Sequence, residues 1–286
     1  MKRAYNGAMK EKIIKVSKVE RKLNRELEWA VFSGDRQRVY SSIKKGANPN
    51  ATGSDVHARY LGMPMLSIAL AKNNVGMAQT LWENGAKTNK LDNERRDALM
   101  IACEEGSTAG ALWAIKFFKP EDAFRRSPNG MTALMWAARH QNNAELITKL
   151  MELYDPKAVD SAYKASPLMW AAKCQHESNL VALLPLSHVQ AVDSLDRSAL
   201  HLVCSDRHHS EENAKRCAML LAPHSNLKAR DCSGRRPEQV ANDVGLTDFG
   251  ATLKGMRRAQ KEARKIAKAL PSVESLTAPK AQSFRL

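Results

Sequence analysis

TALMWAAR at 132–139 and SPLMWAAK at 166–173 are nearly one peptide written twice, the second copy beginning 34 residues after the first. A duplicated catalytic or metal-binding unit would repeat its polar groups along with its apolar ones. Here Leu, Met, Trp and paired Ala recur, whereas Arg139 and His140 are answered by Lys173 and Cys174. What is repeated is packing chemistry, so the pair reads as two courses of one stacked wall.

An L-x-x-A skeleton lifted from this pair recurs at Leu27 with Ala30, Leu66 with Ala69, Leu99 with Ala102, Leu134 with Ala137, and Leu168 with Ala171. Two looser copies, Leu200 with Val203 and Glu238 with Ala241, follow; successive second members lie 39, 33, 35, 34, 32 and 38 residues apart. A period near 33 selects a stack of short two-helix units. Thr132, Ser166 and Ser198 stand where an N-cap hydroxyl would accept an orphan backbone N–H. Small Ala residues let neighbouring helices approach while the Leu beside them fills the space between units. Helices this short are unstable alone, so each unit depends on its neighbours.

These residues and this spacing resemble the ankyrin repeat family, whose motif runs roughly D-x-x-G-x-T-P-L-H-x-A-A, then a second helix ending in L-L, then G-A-D-x-N-A. SPLMWAA at 166–172 and SALHL at 198–202 match the start of the first helix. GANPNA at 46–51 and GAKTN at 85–89 match the loop that closes a repeat, and DCSGRRPEQVA at 231–241 resembles a final repeat. The resemblance implies an all-α fold, an ankyrin-repeat solenoid of stacked helix-turn-helix units with flanking basic helices. Its expected divisions are a basic N-terminal cap over 1–25, repeats over 26–253, a basic helix over 254–270 and a disordered tail over 271–286.

The ends carry their own signals. Glu238 and Gln239 replace the usual Leu and His of the last unit, which predicts a polar end face where no further repeat stacks. Ile13, Val16, Leu23 and Leu27 fall near helical spacing before the first unit. Met256, Ala259, Ala263, Ile266 and Leu270 form a similar stripe after the last, stopped by Pro271. Departures from the motif are equally legible. Residues 52–59 lengthen the loop before the second repeat, and HHSEEN at 208–213 lengthens the turn within the sixth. FFKPEDAF, LYDPKAV and LPLSHVQAV replace the Gly-Ala loop after repeats three to five, each with a Pro that ends its second helix early.

The resemblance also implies a non-catalytic scaffold that binds a partner protein through the hairpin tips and exposed side of the first helices, its concave face. The corresponding positions are Asn93, Glu94, Arg96, Glu104 and Glu105 in the third repeat, and Pro128, Asn129, Met131, Arg139 and His140 in the fourth. The fifth supplies Ala162, Tyr163, Ala165, Lys173 and Cys174, and the sixth Ser194, Leu195, Arg197, Ser205 and Asp206. Aromatic and Arg anchors dominate protein interfaces, which singles out Tyr163 and Arg139. Trp136 and Trp170, flanked by Leu and Ala, are expected in the core.

Other chemistry is weaker. The five cysteines, at 103, 174, 204, 217 and 232, form neither C-x-x-C pairs nor an even framework, which fits a reducing cytosol. HLVCSDRHH brings His201, Cys204, His208 and His209 close in sequence, yet His201 is the ordinary His of the motif and Cys204 stands for a core Ala; no metal site and no cofactor are read here. No phosphate loop, G-x-S-x-G or H-E-x-x-H occurs, so no catalytic centre is read either.

The net charge of +15 belongs to the ends. Residues 1–25 carry nine Lys or Arg against Glu11 and Glu20, and 254–270 carry seven against Glu262, whereas 26–253 hold 27 basic and 26 acidic side chains. Arg257, Arg258, Lys261, Arg264, Lys265 and Lys268 form a basic patch that suits capping, a phosphate backbone or an acidic partner. Lipid fits less well, because neither basic segment offers a Trp or Phe for insertion. No stretch approaches the length of an apolar span and no signal peptide opens the chain. The expectation is a cytoplasmic monomer, either an ordinary adaptor or an effector delivered into a host cell, with nucleic-acid association through the basic helices as the alternative.

Overall fold

The computed structural model describes residues 2–140, 144–205 and 210–269, without the side chains of residues 2–17, 55–57, 264 and 267–269. Among the described residues the elements are α-helices joined by turns, with two isolated bridges that pinch the loop between Thr52 and Pro64. The helices pair in chain order. The pairs are α1 (Lys2–Ser33) with α2 (Arg36–Lys44), α3 (Met65–Ala71) with α4 (Val75–Glu83), α5 (Ala98–Glu104) with α6 (Thr108–Ile115), and α7 (Ala133–Ala138) with α8 (Ala144–Met151). Then come α9 (Pro167–Lys173) with α10 (Glu177–Leu183), α11 (Ala199–Cys204) with α12 (Glu211–Leu221), and α13 (Pro237–Asp243) with α14 (Thr247–Ala269). First helices touch first helices along the stack and second helices touch second, giving two layers.

The skeleton is the core. Leu27, Leu66, Leu134, Leu168 and Leu200 are each at most 1% exposed, as are Ala30, Ala69, Ala102, Ala137, Ala171, Val203 and Ala241. Inner helices of six or seven residues would not persist alone in water; burial of this row against the neighbouring units stabilises them. The caps are local. Thr132 Oγ1 accepts Met135 N–H at 3.2 Å and Ser166 Oγ accepts Met169 N–H at 3.4 Å. Ser198 differs, its hydroxyl bonding the His201 ring at 2.8 Å.

Aromatic contacts bind the outer layer of the middle repeats. The Phe117 ring lies 4.8 Å from Trp82 and 4.7 Å from Trp113, while Phe118 meets Tyr154 edge-on at 5.4 Å. Of the three Pro-bearing closing loops, only that of Pro185 turns immediately after its helix, in a 3-10 turn over Leu184–Leu186; α6 and α8 end several residues before Pro120 and Pro156. The lengthened second loop carries a 3-10 turn at Asp55–Tyr60 and is moored by buried Glu28, which accepts Ser54 N–H at 3.0 Å and Ser54 Oγ–H at 2.6 Å.

The basic ends are continuous with repeat helices. α1 runs unbroken through residue 25 and α14 through residue 253. Leu23 packs against the core beside Leu27, while the side chains of Ile13 and Val16 lie outside the described residues. At the other end Phe249 and Leu253 are buried and Met256 partly so, but Ala259, Ala263 and Ile266 are exposed, so only the first part of that stripe packs. Leu270 and the tail over 271–286 lie outside the described residues. The expected polar end face holds at Gln239, which is exposed, and needs correcting at Glu238: this residue is 6% exposed and forms an ion pair with Arg257 at 2.9 Å, so α14 covers the position where the skeleton's Leu is missing.

Candidate functional site

Five hairpins lead into inner helices α5, α7, α9, α11 and α13, and each is closed by the same backbone bond. Asp92 N–H meets Arg96 O, Ser127 meets Met131, Asp160 meets Ala165, Asp193 meets Arg197 and Asp231 meets Arg235, all at 2.9 to 3.1 Å. The tip residue has a left-handed backbone in every case, with φ between 53° and 76° at Arg95, Gly130, Lys164, Asp196 and Gly234. Neighbouring hairpins bond to one another. Ser161 N–H donates to Asn129 O at 3.0 Å, Ser194 N–H to Tyr163 O at 2.7 Å, and Cys232 N–H to Leu195 O at 2.9 Å. The side chains of Asn129, Tyr163 and Leu195 thus ride on one hydrogen-bonded row, all exposed.

In the third repeat the expected partner-binding side chains are occupied internally. Arg96 bonds Asp92 at 2.7 Å, lies 3.4 Å from Glu94 and contacts Glu104; its side chain is only 13% exposed. Burial pushes the Glu104 carboxyl above the ordinary range, opposed by the Arg96 charge. Glu105 is ion-paired with Arg59 from the lengthened loop, and Asn93 lies against Gly62 of that loop. Arg197 is similarly held by Asp193 at 2.7 Å. A D-x-x-x-R spacing at 92–96, 193–197 and 231–235 was the sequence signal for these internal pairs.

Two expected surface residues are interior. Met131, at 3% exposure, and Ala165, at 6%, sit where the hairpin closes and their side chains turn into the core. Pro128, Ala162 and Ser194 are exposed at the tips, and Cys174 and Ser205 are half-buried at the ends of α9 and α11. His140 is half-buried against Gly106, and burial holds its pKa below the usual imidazole value. Asp206 lies outside the described residues.

Repeats four and five bring the remaining groups together. The Arg139 guanidinium lies over two indoles, 5.2 Å from the Trp136 ring and 4.9 Å from Trp170. Lys173 Nζ stands 5.1 Å from Trp170 and 6.0 Å from Tyr163, whose ring meets Trp170 edge-on at 6.0 Å. Trp170 Nε1 donates to Asp160 Oδ2 at 2.9 Å. Rings and cations therefore alternate across two repeats. Trp170 is buried as expected, yet Trp136 is only half-buried, and both rings serve the surface by holding the cations. The i, i+3 spacing of Trp136 with Arg139 and Trp170 with Lys173 places each pair on one helix face, a signal that the core reading of the tryptophans passed over.

His201 is committed elsewhere. Its Nδ1 accepts Ser198 N–H at 3.2 Å and its Nε2 reaches Arg235 O at 3.1 Å, so the ring is neutral with its proton on Nε2 and ties α11 to the next hairpin. Burial lowers its pKa, in keeping with that state. The Cys204 thiol is fully buried and pushed far up by burial, the opposite of a nucleophile or metal ligand; Cys217 is pushed up to about 11. His208 and His209 lie outside the described residues. In the basic patch Arg257 is spent on Glu238 and Lys265 pairs with Glu262 at 3.0 Å, while Arg258 and Lys261 are exposed; the side chains of Arg264 and Lys268 lie outside the described residues.

Comparison with known proteins agrees with this architecture. The family model described as ankyrin repeats (3 copies) matches residues 107–193. Inversin from Mus musculus is 26% identical over 216 residues, and inversin from Homo sapiens 24% over 216; each match covers 74% of this chain and 20% of the relative. The chain thus matches about a fifth of the length of these relatives. Among solved structures, the human ASB11 ankyrin repeat domain superposes with a TM-score of 0.62 at 20% identity, covering 79% of this chain and 96% of that one. The ankyrin repeat domain of Bcl-3 gives 0.58 at 23% identity, covering 78% and 96%. The paired helices on a period near 33 among the described residues, the shared skeleton at their core and these likenesses lead to one conclusion: the chain folds as an all-α ankyrin-repeat solenoid, and its residues 107–193 match the ankyrin repeat family.

Proposed function

We propose that this protein is a non-catalytic scaffold that seats a partner protein on the face formed by the hairpin tips and inner helices of repeats four to six. Ankyrin repeats are in general protein–protein interaction modules and the fold is typically a binding scaffold. The observation that carries the narrower assignment is the convergence of Tyr163, 50% exposed, Leu195, 44% exposed, Arg139 and Lys173 on one face. Aromatic and Arg side chains held rigid before binding lose little entropy on association and serve as anchors. Repeat three, whose cations and carboxylates already neutralise one another, is the flank of this surface. Proximity labelling in the native cell, comparing wild type with the Tyr163→Ser/Leu195→Ser double variant, tests the reading. Specific neighbours lost in the variant support it; an unchanged set contradicts it. The setting we propose is a reducing cytosol, that of the producing cell or of a host. Among the described residues no helix is long and apolar enough to cross a membrane.

One feature favours a second reading, binding of a nucleic acid through the basic ends. A groove of about 460 Å³ between α1 and α2 is lined by Lys22, Arg25, Arg38 and Lys45 around Trp29, with Glu26 as its acidic member. Such a groove would give an affinity that falls with salt by about 0.9 log units per log unit for each duplex phosphate neutralised. A mobility-shift series decides this: no complex at low salt removes the reading.

A further inference from the structure

In three hairpins a carboxylate neutralises the neighbouring Arg, at 2.7 Å for Asp92–Arg96, 2.7 Å for Asp193–Arg197 and 2.9 Å for Asp231–Arg235. Repeats four and five break the pattern in complementary ways. Repeat five keeps the acid, Asp160, but spends it on neutral donors, Trp170 Nε1–H at 2.9 Å and Tyr163 N–H at 2.6 Å, with Ala165 at the Arg position. Repeat four has Ser127 and Met131 at the two positions, so it lacks the acid as well. As a consequence Trp136 Nε1, the counterpart of Trp170 Nε1, is a buried donor with no acceptor among the described residues.

Cations persist here without counter-charges. Arg139 and Lys173 are exposed and held against ring faces; Lys164 is exposed at the hairpin tip. Among the described residues no carboxylate forms a salt bridge with any of the three. A ring face orients a cation but leaves its charge and its edge N–H donors available. The centre of the inner face is thus positive, preorganised and short of acceptors, and Tyr163 and Leu195 add apolar surface beside it.

Resting on the scaffold reading above, we infer that repeats four to six recognise an acidic, extended segment of a partner protein, with carboxylates on Arg139 and Lys173 and an apolar side chain against Tyr163 and Leu195. Inner helices of adjacent repeats pack about 8–10 Å apart. An extended peptide advances about 3.3 Å per residue, so acidic residues three positions apart span the two cations. Arg is well suited to this role because its guanidinium can take a carboxylate in bidentate fashion while one face stays on an aromatic ring.

The test is fluorescence anisotropy with the full chain and a labelled twelve-residue peptide carrying Glu at every third position and Leu and Phe between. Its Glu→Gln counterpart and a twelve-nucleotide single-stranded DNA serve as comparison probes. The acidic peptide binds, the Gln peptide binds at least tenfold more weakly, and the Arg139→Gln/Lys173→Gln variant loses at least tenfold while Arg258→Gln/Lys261→Gln loses less than twofold. Ser127→Asp is the second variant, because it supplies the missing internal carboxylate. It should weaken the peptide severalfold while raising the melting temperature, a combination that misfolding cannot produce. Equal binding of the acidic and Gln peptides, or stronger binding of the DNA, or indifference to the Arg139/Lys173 change, overturns the inference. If these fail while the Tyr163→Ser/Leu195→Ser variant still loses its proximity-labelled neighbours, the acidic preference falls and the scaffold reading stands.

Discussion

Removing Arg257 should loosen the last repeat specifically. Glu238 occupies the skeleton position filled by Leu in most other repeats, its side chain is 8% exposed, and its ion-pair partner Arg257 lies 2.9 Å away and is 23% exposed. Deleting one partner of a buried pair costs roughly 3–5 kcal/mol because the other charge is stranded. Water reaching the vacated Arg257 site lowers this to about 1.5–3 kcal/mol. Glu238→Leu restores the skeleton and strands nothing, since Arg257 can turn to solvent, so it should cost less than about 1 kcal/mol. The double variant Glu238→Leu/Arg257→Ala should then recover most of the loss, a coupling of at least about 1 kcal/mol in a double-mutant cycle. All five tryptophans, at 29, 82, 113, 136 and 170, precede this repeat, so intrinsic fluorescence cannot report on it. Hydrogen exchange over residues 237–256 is the appropriate assay. Unchanged protection in Arg257→Ala, or no coupling in the cycle, would refute the idea that α14 caps the stack through this pair.

Other predictions concern the repeats themselves. Lys164→Gly and Asp196→Gly each replace a left-handed non-Gly residue at a hairpin tip and should stabilise by up to about 1 kcal/mol in urea unfolding. Ser127→Asp should gain about 1 kcal/mol by satisfying Trp136 Nε1, as Asp160 satisfies Trp170. Leu134→Ala, at a residue with no exposure, should cost about 2–5 kcal/mol and lower the melting temperature sharply. His201 is held neutral, with its folded pKa below 6.5. The unfolded chain then binds the proton first, so its contribution is full above 6.5 and is lost as pH falls from there toward the folded value. His201→Gln, which borrows the Gln239 solution of the last repeat, should flatten the stability-versus-pH curve over that interval.

The stack was legible because its cause is periodic. Leu27, Leu66, Leu134 and Leu168 recur where a buried row must recur, and any one of them would have said little. The site was less legible because it depends on exceptions to that period. Met131 and Ala165 occupy positions that the resemblance assigns to the concave face yet fill the hairpin interior here. Arg96 and Arg197 read as partner-binding positions until their Asp partners four residues earlier are placed against them. Arg139 was recognised as a variable position, but its contact with Trp170 joins residues 31 apart in sequence and follows from how two repeats are set against each other. Glu238 misled for the same reason: its polarity suggested solvent, whereas its partner comes from a helix whose path the local sequence does not specify.

The central claim is that partners dock on the inner face of repeats four to six. Its most direct test is a photo-crosslinking residue placed at Tyr163, compared with one at Val181, which is 54% exposed on outer helix α10. Irradiation in the native cell should give discrete protein adducts from position 163 that diminish when Arg139 and Lys173 are neutralised, and none from position 181. Adducts from 181 with none from 163 would contradict the account.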